Sequence, residues 1–260
     1  MPQKHSAKTI IQTGAHSILH EAASLALETA RLAIARGPAG IGKSFALTLL
    51  QDSLSNDRDT VLKFTATARN GKSWRRFFEE AALEFGLNGY GGQDPMERLE
   101  RALMQSYPFR RGGSRILLII DECQHLDAKL IECLRALYDK GEFAHDFDSS
   151  QAAFGLLLVG NPHFLSKAGK AERAAFEALL SRCPIEVTLD RPEASEYTDL
   201  ALSFFAAGDE RGDALAEHGR RFGNLRVMAT SYDLARHFAG SGQTTMVHLK
   251  KAFLFSAEGK

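Results

Sequence analysis

Cysteine is scarce in this chain: Cys123, Cys133 and Cys183 are an odd number with no CxxC spacing. That excludes a disulfide framework and a four-thiolate zinc site, and leaves three small apolar side chains in a reducing compartment. Long apolar runs are missing as well. None approaches the ~20 residues needed to cross a bilayer, and Met1 to Thr13 lacks the apolar core of a secretion signal. A soluble, cytoplasmic protein with no membrane partner is therefore expected. Net charge is also lacking, because 32 basic side chains balance 32 acidic ones. No global field draws the chain to nucleic acid, so any such binding must come from a local patch.

What is present suits a globular protein. The 260 residues are 44% apolar and 25% charged, enough to bury a core without a metal or disulfide staple. Helical spacing over Ala15–Thr29 precedes a short apolar strand, Leu32–Ala35. A glycine loop follows, then a helix over Ser44–Leu54. Strands are expected at Thr60–Thr67, Arg115–Ile120, Phe154–Gly160 and Pro184–Leu189, with helices at Ser73–Phe85, Pro95–Ser106, Ala128–Tyr138 and Ala171–Leu180. Gly86–Gln93 reads as a loop. Phe77, Phe78, Phe204 and Phe205 read as core. Strands alternating with helices imply a parallel sheet covered on both faces. Beyond Arg191-Pro192 the pattern is helical throughout, over Ser195–Ala206, Asp213–Phe222, Leu225–Phe238 and Thr244–Phe255. Two domains are expected, residues 1–192 and 193–260.

Three pieces carry chemistry. Gly37-Pro38-Ala39-Gly40-Ile41-Gly42-Lys43-Ser44 fits GxxxxGK[ST] in full, a match that chance supplies in roughly one chain in a hundred of this length. It sits between an expected strand and helix. There the glycines let backbone N–H groups reach phosphates, and the helix dipole favours the anion. Lys43 is expected on the β- and γ-phosphates of ATP and Ser44 in the Mg2+ shell, with Phe45 completing the nucleotide-binding stretch. The second piece is Ile116–Glu122 (ILLIIDE), which puts two acids at the carboxyl edge of the sheet. Asp121 is expected to hold magnesium and Glu122 to polarise the attacking water. The third is Leu156–Pro162, where Asn161 follows a buried strand and can reach the γ-phosphate or the water.

Together these residues resemble the AAA+ ATPases: the P-loop corresponds to Walker A, Ile119-Ile120-Asp121-Glu122 to Walker B, and Asn161 to sensor 1. The resemblance implies an α/β P-loop NTPase, a three-layer sandwich with sheet order 5-1-4-3-2 and a small C-terminal helical lid. It also implies an arginine acting across a subunit interface, for which Arg182 fits and Arg173 competes. A sensor-2 arginine is implied at Arg226 in Gly223-Asn224-Leu225-Arg226. The run Asp121-Glu122-Cys123-Gln124-His125-Leu126, with Val159-Gly160-Asn161-Pro162 and Leu180-Ser181-Arg182, is similar to the MuB/TniB/TnsC group of DNA-transposition ATPases, which are related to IstB and ExeA ATPase modules. That similarity implies ATP-dependent assembly as a homo-oligomer on duplex DNA and regulation of a transposase. In phage MuB an N-terminal helix-turn-helix region precedes the ATPase core. Here the first strand begins at Leu32, so the core itself is expected to hold DNA.

Two basic clusters are candidates for that contact. Arg69, Lys72, Arg75 and Arg76 surround Trp74, and Arg110-Arg111 precede two glycines. Phosphate contacts from them would be sequence-independent and salt-sensitive. The competing reading pairs Arg75 and Arg76 with Glu79 and Glu80 at i,i+4 on a solvated helix face. His16 and His20 share that spacing but have too few neighbouring ligands for a metal site, and His125 reads as a helix-start packing residue. The functional alternatives are an ATP-switch module of a secretion or signalling assembly, and a small-molecule kinase. The acid pair and the Gly223–Arg226 motif argue against the kinase, and the family resemblance, with no NKxD sequence present, implies adenine over guanine.

Overall fold

A computed structural model of the chain describes residues 13–87, 94–105, 115–143, 153–162 and 169–256. Its strands are β1 (Leu32–Arg36), β2 (Thr60–Thr65), β3 (Ile116–Asp121), β4 (Gly155–Gly160) and β5 (Ile185–Thr188). They form one sheet in the order β2-β3-β4-β1-β5, all pairs parallel, with Ile34 opposite Leu158 and Phe64 opposite Ile120. Counted from the other edge this is the expected 5-1-4-3-2 order. Burial follows position in the sheet. Every residue of β3 and β4 is buried, whereas the edge strand β5 alternates and the edge strand β2 is exposed at both ends. Continuous apolar runs mark strands covered on both faces, and alternation marks strands with one wet side.

The helices are α1 (Gly14–Thr29), α2 (Lys43–Leu54), α3 (Trp74–Glu84), α4 (Pro95–Gln105), α5 (Ala128–Phe143) and α6 (Lys170–Leu180). Four more follow: α7 (Ala194–Leu202), α8 (Glu210–Phe222), α9 (Leu225–Ala239) and α10 (Met246–Ser256). The larger core gathers Ile34, Phe64, Phe77, Leu118, Ile131, Tyr138 and Phe176. Phe64 meets Phe77 edge-on at 4.8 Å between ring centres. Such pairs add to plain burial because ring edges are positive and faces negative.

The chain packs as two compact units. One holds Ile18–Gly37 and Ser44–Leu189. Among the described residues, the other holds Pro38–Lys43 and 190–256, with 13–17. In the second unit Tyr197, Leu215, Met228 and Leu249 form a separate helical core. Two of its helices, α8 and α9, start on side-chain caps. Asp209 accepts from Arg211 N, and Asn224 accepts from Arg226 N and Val227 N. These caps supply partners for N–H groups that a helix start leaves unmatched.

Several boundaries differ from expectation. β2 stops at Thr65, two residues early, because Thr67 and Asn70 bond reciprocally and turn the chain: Thr67 N donates to Asn70 Oδ1 at 2.7 Å and Asn70 N to Thr67 Oγ1 at 3.1 Å. α5 runs past Tyr138, where Asp139 and Lys140 find ion-pair partners in Arg135, Arg182 and Glu100. α7 ends at Leu202, since Phe204 leaves the helix to stack on Tyr232 at 4.1 Å. Most of the expected Gly86–Gln93 loop, residues 88–93, lies outside the described residues.

Candidate nucleotide site

The glycine loop leaves the end of β1. Gly37 N donates to Gly160 O at 3.1 Å, extending the β1–β4 ladder by one rung. α2 then begins at Lys43, so its unpaired first-turn N–H groups face the turn. Gly40 and Gly42 have φ of 84° and 94°, where side chains are strained. At Gly40 there is also no room, because a Cβ would stand 2.0 Å from Asn224 Oδ1. Arg226 N donates to Gly40 O at 3.3 Å within the same unit. Lys43 is 7% exposed, and its ammonium donates to Pro38 O at 2.7 Å. Ile41 is fully buried and anchors the turn, Ala39 lies outside, and Phe45 is 58% exposed on the first turn of α2.

β3 delivers Asp121 to the same edge of the sheet. Its side chain is buried, Oδ1 accepts from Glu122 N at 2.8 Å, and Oδ2 has no hydrogen-bond partner. Burial raises the carboxyl above its ordinary range. The Ser44 hydroxyl, the Glu122 N–H and the Lys63 charge pull it down, and the Glu122 charge pushes it up. A buried carboxylate oxygen with nothing to accept from is costly, and a divalent cation would satisfy it. The donors fit magnesium, a hard ion that takes oxygen ligands and keeps several waters: one carboxylate oxygen, one hydroxyl, and room in the shell for phosphate.

Glu122 stands just past the strand with φ 57° and ψ 39°. A left-handed residue with a side chain costs roughly 1–2 kcal/mol, so the surroundings hold it there. Cys123–His125 make a single 3-10 turn. From it Gln124 Nε2 donates to Glu122 Oε2, and Gln124 Oε1 accepts from Asn161 N at 3.2 Å. Asn161 follows β4 directly, half-buried. The acid, the glutamine and the asparagine thus form one connected group. In the sequence Gln124 carries only a family resemblance. A hydrogen-bonding side chain two residues beyond the second acid, Glu122, is the signal that singles it out.

The turn after β2 is tied to the same segment. Ala66 N donates to Asp121 O at 2.9 Å and Asp127 N to Gly71 O at 2.8 Å. A Cβ on Gly71 would lie 2.1 Å from His125 O. Asn70, 2% exposed, braces the turn by donating to Glu80 Oε2 at 2.9 Å. Arg69 and Lys72 are exposed on this turn with no hydrogen bond or ion pair among the described residues. Arg75 and Arg76 pair with Glu79 and Glu80 at 3.2 and 3.4 Å. Trp74 carries Lys129 over its ring at 5.4 Å. Arg110 and Arg111 lie outside the described residues.

Of the arginines, Arg182 is engaged within its own chain. Nε and Nη2 donate to Asp139 at 2.6 and 3.2 Å, and Nη1 donates to Ala178 O at 2.7 Å. Arg173 is exposed on α6 and Arg226 on the first turn of α9. No cluster of three or more potential His, Cys, Asp or Glu metal ligands occurs among the described residues. Nor is any helix there long and apolar enough to cross a membrane.

A parallel sheet of this order, a glycine loop opening a helix, and a buried acid two strands away define a P-loop nucleotide-binding protein. The AAA domain family matches residues 26–167, more than half of the chain, and the chain belongs to that family of ATPases. It is 27% identical over 230 residues to the ATP-dependent target DNA activator B of Escherichia phage Mu, covering 86% of this chain and 66% of that protein. To the Mu-like prophage FluMu DNA transposition protein B of Haemophilus influenzae it is 24% identical over 77% of this chain and 63% of that protein. The chain therefore spans about two thirds of the length of these relatives. In fold it resembles the ORC2 protein of Aeropyrum pernix, with a TM-score of 0.70 at 14% identity, over 99% of this chain and 71% of that one.

Proposed function

We propose that the chain binds and hydrolyses ATP with magnesium, assembles with further copies of itself on duplex DNA in the cytoplasm, and there regulates or targets a transposase. The observation that carries the nucleotide half is Asp121 Oδ2, a buried acceptor with no partner beside the Ser44 hydroxyl. The DNA half is supported by the similarity to transposition proteins named as target DNA activators and by the exposed cations at Arg69 and Lys72.

In this reading the backbone of Gly37 to Phe45 cradles the phosphates, Lys43 moves from Pro38 O to the β- and γ-phosphates, and Arg226 reaches the nucleotide from the start of α9. Magnesium, held through Ser44 and Asp121, would neutralise charge on the phosphate oxygens. Glu122 orients the attacking water and accepts its proton, while the Asn161 amide holds the γ-phosphate or that water. Arg182 is the candidate for reaching a neighbouring copy's site, which requires it to leave Asp139. Arg69 and Lys72 contact DNA phosphates, with Arg75 and Arg76 joining if they exchange their glutamates for phosphate.

Steady-state ATPase activity, measured with and without random-sequence duplex DNA across protein concentration and salt, tests the whole. Turnover that rises faster than protein concentration, increases with DNA and weakens with salt is expected. Turnover indifferent to DNA at every protein concentration would move the function to a protein-partnered ATP switch.

A further inference from the structure

Glu122 is held in place by a neighbour with a second attachment. Gln124 uses both ends of its amide: Nε2 donates to the Glu122 carboxylate, and Oε1 accepts from the backbone N–H of Asn161. The partners dictate this orientation. Reversed, the amide would set its oxygen against a carboxylate and its NH2 against an N–H, two repulsions in place of two bonds. The Glu122 backbone is held by its N–H on Asp121 Oδ1 and by its C=O, which accepts from His125 N, and Gln124 adds the bond to the carboxylate. That backbone is left-handed, and the 3-10 turn that follows spans only Cys123–His125. Asp127 N on Gly71 O fixes the far side of that turn, so Gln124 projects from a braced support.

We infer that Gln124 is a positioning residue for ATP hydrolysis, fixing the Glu122 carboxylate relative to Asn161. This rests on the ATPase reading above. By occupying Oε2, the glutamine leaves Oε1 to meet the attacking water. By holding the Asn161 backbone, it keeps the γ-phosphate-reading amide and the water-activating acid at a set separation. A bound γ-phosphate that moves Asn161 would pull on the same amide, so Gln124 also transmits the state of the nucleotide to the acid.

The test compares wild type, Gln124→Ala, Gln124→Glu, Glu122→Gln and the double variant Glu122→Gln/Gln124→Ala. Each is assayed for single-turnover ATP hydrolysis, for affinity toward a fluorescent ATP analogue, and for thermal melting. Gln124→Ala is expected to slow hydrolysis about 10- to 100-fold, the scale of a reacting group misplaced by about an ångström, with nucleotide affinity and melting unchanged. Gln124→Glu keeps the length and the bond to Asn161 N but cannot donate to Glu122, so it should lose at least as much. In the Glu122→Gln background, Gln124→Ala should cost nothing further, because its effect passes through that carboxylate. Unchanged or faster hydrolysis in Gln124→Ala, or an equal extra loss on top of Glu122→Gln, would overturn the inference while leaving the ATPase standing. Wild type that binds the analogue and does not hydrolyse ATP would overturn both.

Discussion

Asp121 and His218 are both buried titratable groups, one at the edge of the sheet and one in the helical unit, and their surroundings treat them oppositely. His218 has a hydrogen-bond partner and two ring neighbours. Nε2 is bonded with Ser256 Oγ at 3.1 Å, Phe253 stacks on its ring at 4.0 Å, and Phe222 meets it edge-on. Burial, with Arg221 nearby, lowers its pKa and favours the neutral ring. Asp121 keeps one oxygen with nothing to accept from. A histidine packed between rings with its Nε2 bonded serves structure. An acceptor left over beside the Ser44 hydroxyl, at the edge of the sheet where the glycine loop opens, is where a ligand would complete the protein.

The largest expected effect comes from damaging the contact between the turn after β2 and the turn after β3. Gly71→Ala would put a methyl group into His125 O, with a cost of about 1–3 kcal/mol typical of overpacking. The loss should appear as lower hydrogen-exchange protection around β2, β3 and the Cys123–His125 turn, with the helical unit unaffected. Equal loss in both units would contradict the separation.

The same criterion sorts the exposed charges. Arg75 and Arg76 already have glutamate partners, and Arg69 and Lys72 have none among the described residues. Charge reversal at Arg69 and Lys72 together should therefore weaken duplex binding about tenfold or more and flatten its salt dependence by roughly two units. Reversal at Arg75 and Arg76 should weaken it less. Binding assays over a salt series separate the two, and the opposite ranking would place the contact on α3 instead.

The smallest effects are in the pH dependence of stability, and the two groups differ in sign. His218 has a lowered pKa, so as pH falls below about 6.5, the ordinary histidine value, the unfolded chain takes up a proton that the folded chain refuses. Stability is then lost with acid until the folded ring also charges. His218→Phe should remove that component of the melting profile. Asp121 has a raised pKa, so the folded chain keeps its proton to higher pH than the unfolded chain does. Its contribution is greatest below the ordinary carboxyl value of about 4 and is lost as pH rises through the raised value. Asp121→Asn in magnesium-free buffer should remove it. A profile unchanged in either variant would contradict the corresponding assignment.

The most legible parts of the sequence were those in which local pattern and tertiary role coincide. Ile116–Ile120 is apolar without interruption because both faces of β3 are covered, and Gly40 and Gly42 stand where the loop needs positive φ. The Glu79 and Glu80 pairings of Arg75 and Arg76 follow from helical spacing alone. What escaped depends on partners distant in sequence. Arg182 finds Asp139 across 43 positions, Gln124 finds Asn161 across 37, and Gly40 is closed in by Asn224. The early ends of β2 and α7 were hidden for related reasons. A Thr67–Asn70 turn and a Phe204–Tyr232 stack outweigh propensity there.

The direct test of the nucleotide site is ATP affinity, measured by calorimetry with and without magnesium, in wild type and in Asp121→Asn. Magnesium should tighten ATP binding to wild type and have little effect on the variant, whose affinity for magnesium-free ATP should equal that of wild type. A variant that gains as much from magnesium as wild type does would show that Asp121 Oδ2 is not where the cation is held.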